Sequence, residues 1–325
     1  MLIIDEATAR GLIDIDEAIE AIEQAFLALD MGEARIFPVA HGAGQLEGSS
    51  FSMKSGQIRG ARAATSGIVG LKVGSYWPTN RERGLPSHGS TVLLLDPVTG
   101  LPIALIAMSY LNGLRTAAAD AVAVRHLARA DAATLGIVAA GHQAWFECLA
   151  VCRVRPIERV LVWSRDPIRA QAFAESVVRE QGLSAIGATL EQVAGADIVI
   201  TVTAAREPLV RAEWIRPGTH VSAMGADAPG KRELCRPLAT KARLFADLPE
   251  QSRVIGEFQD MTDPIAPLGG LVSGSARGRL NSDEITIFDS SGLAIQDLAV
   301  AARVLGKARK LGLGIDTSPQ TLARA

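Results

Sequence analysis

The chain has little of what marks a disulfide scaffold, a metal centre or a nucleic-acid binder. It carries only three cysteines and five histidines among 325 residues. Cys148, Cys152 and Cys235 are too scattered for a disulfide framework, and no histidine or further cysteine completes a set around Cys148 and Cys152. The thiols therefore read as buried apolar groups, and no metal is expected. Neither sign of charge dominates: 33 Lys and Arg face 35 Asp and Glu, for a formal net charge of -2. Without a basic field, nucleic acid is not an expected partner. Long apolar runs are missing too. The opening "MLIIDEATARGLIDIDEAIEAIEQAF" has acids in its first turn and no basic leader before an apolar core, so neither a signal peptide nor a membrane span is expected, and the expected location is cytoplasmic.

What is present is ample core material, 48% apolar against 21% charged residues. The length exceeds the roughly 250–300 residues at which single cores stop growing, so two domains are expected. Asp14 to Leu29 carries Ile15, Ala18, Ile19, Ile22 and Phe26 at helical spacing, which predicts an amphipathic helix. Strand-like runs follow in "GIVGLKVGSYW" and "STVLLLDPVTGLPIALI", the second broken by a Pro-Val-Thr-Gly turn. "LNGLRTAAADAVAVRHLARA" has no breaker after Gly113 and predicts a long connecting helix. From Ala132 onward strands and helices alternate: "TLGIVAA", a helix from Gln143 to Val154, "RVLVWS", "DPIRAQAFAESVVREQ", then "ADIVITVT", "HVSAMG" and "ARLFAD". That rhythm implies an α/β fold with a Rossmann-type, doubly wound parallel sheet beside an α+β domain.

The turn "IVAAGHQAWF" places Ala139, Gly141 and Ala144 at the three small-residue positions of a dinucleotide-binding fingerprint. Such residues let backbone amides approach a pyrophosphate at the positive end of a helix, and Gly141 keeps the position of closest approach. At the end of the next strand, "VWSRDP" offers Ser164 and Arg165 to a 2′-phosphate, while Asp166 either serves the ribose hydroxyls of NAD or caps the following helix. NADP(H) is favoured and NAD(H) remains open.

At "LKVGSYWPTN", "LRTAAADAVAVRHLAR", "GHQA", "VWSRDP" and "FDSSGLAIQDLA" the chain resembles the ornithine cyclodeaminase and mu-crystallin family, with the motifs in the same order along nearly its whole length. The resemblance implies a homodimer, a substrate-binding and dimerisation domain of residues 1–120 with 294–325, and a dinucleotide-binding domain of residues 121–293. Its shared chemistry is hydride transfer between a nicotinamide and the α-carbon of an amino or imino acid. The family's catalytic lysine matches Lys72, its carboxylate-binding arginine Arg115, and its active-site aspartate Asp227 in "GADAPGKREL". Thr116, His142, Gln143, Thr203, Met224, Gly225, Ser291 and Gly292 fall at the matching cofactor positions.

The chemistry makes the same demands. A carboxylate substrate needs a bidentate cation, which Arg115 supplies unless it is a helix-surface ion pair. An imine accepts hydride only when protonated or polarised, a task for a lysine such as Lys72 whose pKa neighbouring cations lower. Asp227 would exchange the proton at nitrogen, or else is a plain turn residue. Asp120 either pairs with Arg115 or lies on the solvent face.

Where the cyclodeaminase branch places an acid before the catalytic lysine to hold a distal ammonium, this chain reads "FSMKSGQIRGARAATSG", with Lys54 and no carboxylate. A cation there repels ornithine and attracts a second carboxylate. His88 and Tyr76 are candidates to add hydrogen bonds to it, unless His88 is a structural loop histidine and Lys54 a solvated loop lysine; Arg59 and Arg62 read as surface charges. The expected activity is NAD(P)H-dependent reduction of a small imino acid to an L-amino acid, iminosuccinate to L-aspartate being the named case. The rivals are a cyclodeaminase forming proline and ammonia, and a mu-crystallin-like protein that binds NADPH and a ligand without turnover.

Overall fold

The computed structural model describes residues 1–60 and 67–317, apart from the side chain of Arg81. Arg62 lies outside the described residues. The chain divides into two compact units, Met1–Arg115 with Leu293–Ala325, and Thr116–Gly292.

The first unit is built on an eight-stranded sheet. Strands Ser50–Arg59, Gly67–Tyr76, His88–Leu95 and Pro102–Ala107 pair antiparallel in chain order, and Leu2–Ile4 joins the last of them in parallel. Because side chains alternate across a strand, Gly70 and Lys72 share one face while Leu71 and Val73 share the other. The helix Ala294–Leu311 packs on the first of these faces. Gly70 makes that contact possible, since a Cβ there would lie 3.0 Å from Leu298 Cδ2 and 2.4 Å from the Leu93 carbonyl; Gly56 is required by the neighbouring strand, a Cβ there lying 2.8 Å from the Arg35 carbonyl. The close approach buries Ile295 and Leu298 completely, at about 1.5–3 kcal/mol for each such side chain. The helix Ile15–Asp30 has the expected apolar stripe and a capping box between Asp14 and Glu17.

The second unit carries the all-parallel sheet that the alternating pattern predicts. Strands Ser184–Gly187, Arg159–Trp163, Thr134–Val138, Ile198–Thr201 and His220–Ala223 lie side by side in that order, the arrangement of a Rossmann sheet. Thr286–Asp289, Arg243–Ala246 and Ile265–Pro267 extend it. The order reverses beside Thr134–Val138, so the turn after that strand opens at the topological switch point. Gly136 within it is required by packing, since a Cβ there would sit 2.2 Å from the Val193 carbonyl.

The helix Ser109–Leu127 runs through the division between the units. It starts before Gly113, because a distant carboxylate supplies the cap: Glu6 accepts from the amides of Ser109 (3.1 Å) and Tyr110. Cys148 is buried as expected, but Cys152 and Cys235 are only part-buried; Cys152 sits in the last turn of its helix, where cover thins. No helix among the described residues is long and apolar enough to cross a membrane, and none of their acidic, histidine and cysteine side chains cluster as a metal set.

Candidate active site

Lys72 lies near the middle of the strand Gly67–Tyr76, on the face covered by the helix Ala294–Leu311, and is only 6% exposed. Its Nζ forms an ion pair with Asp297 Oδ2 at 2.9 Å and donates to Asn112 Oδ1 at 3.0 Å. Arg115 reaches the same carboxylate from the helix Ser109–Leu127, with Nε 2.9 Å from Asp297 Oδ1. Its remaining nitrogens donate to Gln296 Oε1 at 2.7 Å and to Asn112 Oδ1 at 2.8 Å. Arg115 therefore sits two turns inside its helix, in a buried network; it is not a surface ion pair.

Burial, then the neighbouring Arg115 charge, pulls the Lys72 pKa down to about 7 even though Asp297 opposes both. Burial pushes Asp297 upward, but Arg115 and Lys72 outweigh it and hold the carboxyl below the ordinary range. Lys54 stands directly opposite Lys72 across the strand pair and adds to both effects. Three cations thus surround one carboxylate. The fully buried Gln296 Nε2 has no hydrogen-bond acceptor among the described residues, and its orientation is fixed because Oε1 takes both Arg115 and the Leu293 amide. A positive, donor-rich cluster whose lysine is balanced between protonation states can attract an anion and exchange a proton with it.

Farther out on the same face, His88 is exposed and lies against Tyr76, the rings tilted by 38° with centroids 4.7 Å apart. Arg59 is exposed, as a surface charge should be.

The remaining predicted residues lie in the second unit. Gly141 is the N-cap of the helix His142–Val154, in extended backbone and without a side-chain cap, so the helix's first amides face outward unclaimed by a capping side chain. A Cβ on Gly141 would meet nothing within 4 Å, so nothing in the protein itself demands glycine there. Close approach of a pyrophosphate does, and the turn fits a dinucleotide on that ground. Ala144 is buried beneath the turn, and Gln143 Nε2 donates to Glu147 at 2.8 Å. His142 packs edge-on against Phe146, and Ala139 precedes the turn, part-buried.

At the end of the second strand Arg165 is exposed, Ser164 Oγ donates to the Asp166 carbonyl at 2.6 Å, and Asp166 caps the next helix by accepting from the Ile168 amide at 3.0 Å. Of the two roles open to Asp166, the structure shows the cap. Thr203 and Gly225 are tied together by Glu233, whose two oxygens accept from the Thr203 amide (2.6 Å) and the Gly225 amide (3.0 Å). Met224 is buried beside them, and Thr116 is part-buried. Ser291 accepts from Gln251 at 2.8 Å, and Gly292, at φ 79°, donates its amide to Asp247 at 2.8 Å. Asp227 is exposed and ion-paired with Lys231 four residues on. Asp120 takes neither expected position: it is fully buried, with Ser222 and Glu147 as its polar neighbours.

Residues 3–311 match the profile of the ornithine cyclodeaminase/mu-crystallin family, and the chain belongs to that family. Among solved structures it is similar to the iminosuccinate reductase of Paracoccus denitrificans in complex with NAD+ (36% identity, 97% of this chain and 98% of that one, TM-score 0.90). It is equally similar to an archaeal alanine dehydrogenase dimer with bound NAD (34%, 98% and 99%, TM-score 0.90). A third is the Thermococcus litoralis Δ1-pyrroline-2-carboxylate reductase in complex with NADH and L-proline (34%, 98% and 100%, TM-score 0.90).

Proposed function

We propose that the chain is an NAD(P)-dependent oxidoreductase that reduces a small imino acid to an L-amino acid and runs in reverse as an amino-acid dehydrogenase. Iminosuccinate, giving L-aspartate, is the proposed substrate. The observation that carries this reading is the buried cluster of Lys72, Arg115 and Asp297 with Lys54 beside it, which leaves a surplus of positive charge where an acid group must be held. The relatives that act on imino acids and alanine, at about one-third identity over nearly the whole chain, support the same reaction class.

Arg115 and Lys72 hold the α-carboxylate, with Gln296 Nε2 as a further donor, and Lys54 holds the second carboxylate, with His88 at the rim. Lys72, as the ammonium, hydrogen-bonds the imine nitrogen and raises the electrophilicity of the carbon; in reverse, the neutral amine receives the proton. Asp227 is the proposed proton carrier for the product nitrogen. A bound nicotinamide supplies or accepts the hydride, and the turn at Gly141, with Thr203, Gly225 and Ser291, would hold it. Arg165 would meet a 2′-phosphate, so NADP(H) is preferred and NAD(H) accepted; titration of both cofactors measures that ratio. A homodimer is proposed through the sheet face opposite Lys72, where Phe51, Met53 and Val73 remain about 40% exposed. Sedimentation velocity tests it, a monomer contradicting it.

The activity test is steady-state cofactor oxidation with oxaloacetate plus ammonium. Lys72→Ala should lower turnover by about 10²–10⁴-fold, the usual scale of acid–base catalysis, while cofactor affinity stays within about twofold. Wild-type binding of NADPH without turnover would favour the ligand-binding rival, and proline formed from ornithine the cyclodeaminase.

A further inference from the structure

The sheet face that carries Lys72 is ordered in rows. Gly56, Gly70 and Leu94 lie buried beneath the helix; Lys54, Lys72 and Val92 form the next row; Ser52, Gly74 and Ser90 the third; and Ser50, Tyr76 and His88 the outermost. Burial thins in the same order, from floor to rim. The two central glycines differ in kind. Gly70 has no room for a Cβ, as shown above, whereas a Cβ on Gly74 would meet nothing closer than Ser52 Oγ at 3.8 Å and Lys72 Cε at 3.9 Å, both ordinary contact. Nor does Gly74 have positive φ. Neither packing nor backbone conformation asks for glycine at this position.

We propose that the recess over Gly74, between the end of Lys72 and the Ser52 hydroxyl, receives the side chain of the substrate and sets its length and polarity. This rests on the reading of Lys72 and Arg115 as the anchor for the imino-acid head. A side chain leaving a carbon held at Lys72 meets Ser52 and, two residues along the same strand, Lys54. On the other flank is Ser90, whose buried Oγ has no hydrogen-bond partner among the described residues. Hydroxyls beside an ammonium suit a carboxylate oxygen. A distal ammonium would meet Lys54 at like charge, and a long alkyl arm would strip water from Ser52 without replacing its hydrogen bonds. The recess therefore selects a four-carbon dicarboxylic imino acid over its three-carbon monocarboxylic analogue.

The test compares kcat/KM for oxaloacetate and for pyruvate, each with ammonium, in the wild type, Gly74→Ala and Ser52→Ala, with melting temperature as the check on folding. Gly74→Ala should lower the oxaloacetate-to-pyruvate ratio at least about tenfold, the scale of one methyl group in a fitted pocket. Ser52→Ala should lower it about fivefold, mainly through KM for oxaloacetate. A wild type that uses both acids, with ratios unchanged in both variants, overturns the recess and leaves the reading of Lys72 intact. A wild type that prefers pyruvate overturns the dicarboxylate selection, and one that consumes neither overturns the proposed function together with it.

Discussion

Where the first unit buries Lys72 and Arg115 around a single acid among its described residues, the second buries Asp120, Glu147, Glu233, Asp247, Glu257 and Asp289. The acids of the second unit are largely spent on its own backbone. Glu257 accepts from the amides of Glu233 and Leu234, Asp247 from that of Gly292, and Glu233 ties the ends of two neighbouring strands. Burial raises Glu257 to about 8 and Asp289 well above its ordinary value, so these groups carry less charge than their number suggests. The contrast separates two uses of a buried ionisable group. In the second unit it fixes loops at the carboxyl ends of strands, the end at which open α/β sheets bind their ligands. In the first, cations outnumber the acid, which leaves a net positive charge around Asp297.

The sharpest way to break this contrast is to remove Asp297, the one acid buried among the described residues of the first unit. Asp297→Asn leaves Lys72 and Arg115 without their counterion, and losing one partner of a buried pair costs about 3–5 kcal/mol, measurable by denaturant unfolding. An unchanged midpoint would mean that the two cations are stable unpaired. The catalytic consequence is smaller. With Lys72 held near pH 7, kcat/KM for imine reduction should fall about tenfold per unit above pH 7 as the ammonium is lost. In the oxidative direction, which needs the neutral amine, the rate should rise up to pH 7 and then level. Because Asp297 favours the charged lysine, Asp297→Asn should move both profiles toward acid; a shift toward alkali would contradict the assignment.

The chain's second half was legible because a parallel sheet writes itself as short apolar strands alternating with helices. Lys72 and Arg115 were legible as residue types in motifs. Their partners were not, because Asn112 and Asp297 are brought together by tertiary packing across 185 positions of sequence, which no local spacing encodes. One signal was available. Asp297 interrupts the apolar stripe Ala294, Ala301, Val304 and Ala308 of its helix, and an acid at a core position needs a buried cation. Glu6 as the cap of a helix more than 100 residues away left no such trace, nor did the difference between Gly70 and Gly74, which are alike as letters and differ only in what surrounds them.

Asp120 likewise interrupts an apolar stretch, standing among Ala117, Ala121 and Val124 in a fully buried part of its helix, but it is kept by protonation where Asp297 is kept by cations, and it offers the mildest test of the contrast. Its burial raises the carboxyl to about 7, while the neighbouring Ser222 and Glu147 side chains draw it the other way. The folded state thus holds a proton that the unfolded chain releases near pH 4. Stability from this group is complete below that pH and is lost as pH rises through about 7. Asn at this position keeps a donor and never ionises. Asp120→Asn should therefore flatten the decline in unfolding free energy between pH 5 and pH 8, by no more than about 3 kcal/mol on the linkage relation. If the wild type and the variant decline in parallel, Asp120 is already ionised at pH 5 in the folded protein, and its neighbours must then be supplying a positive partner of the kind found in the first unit.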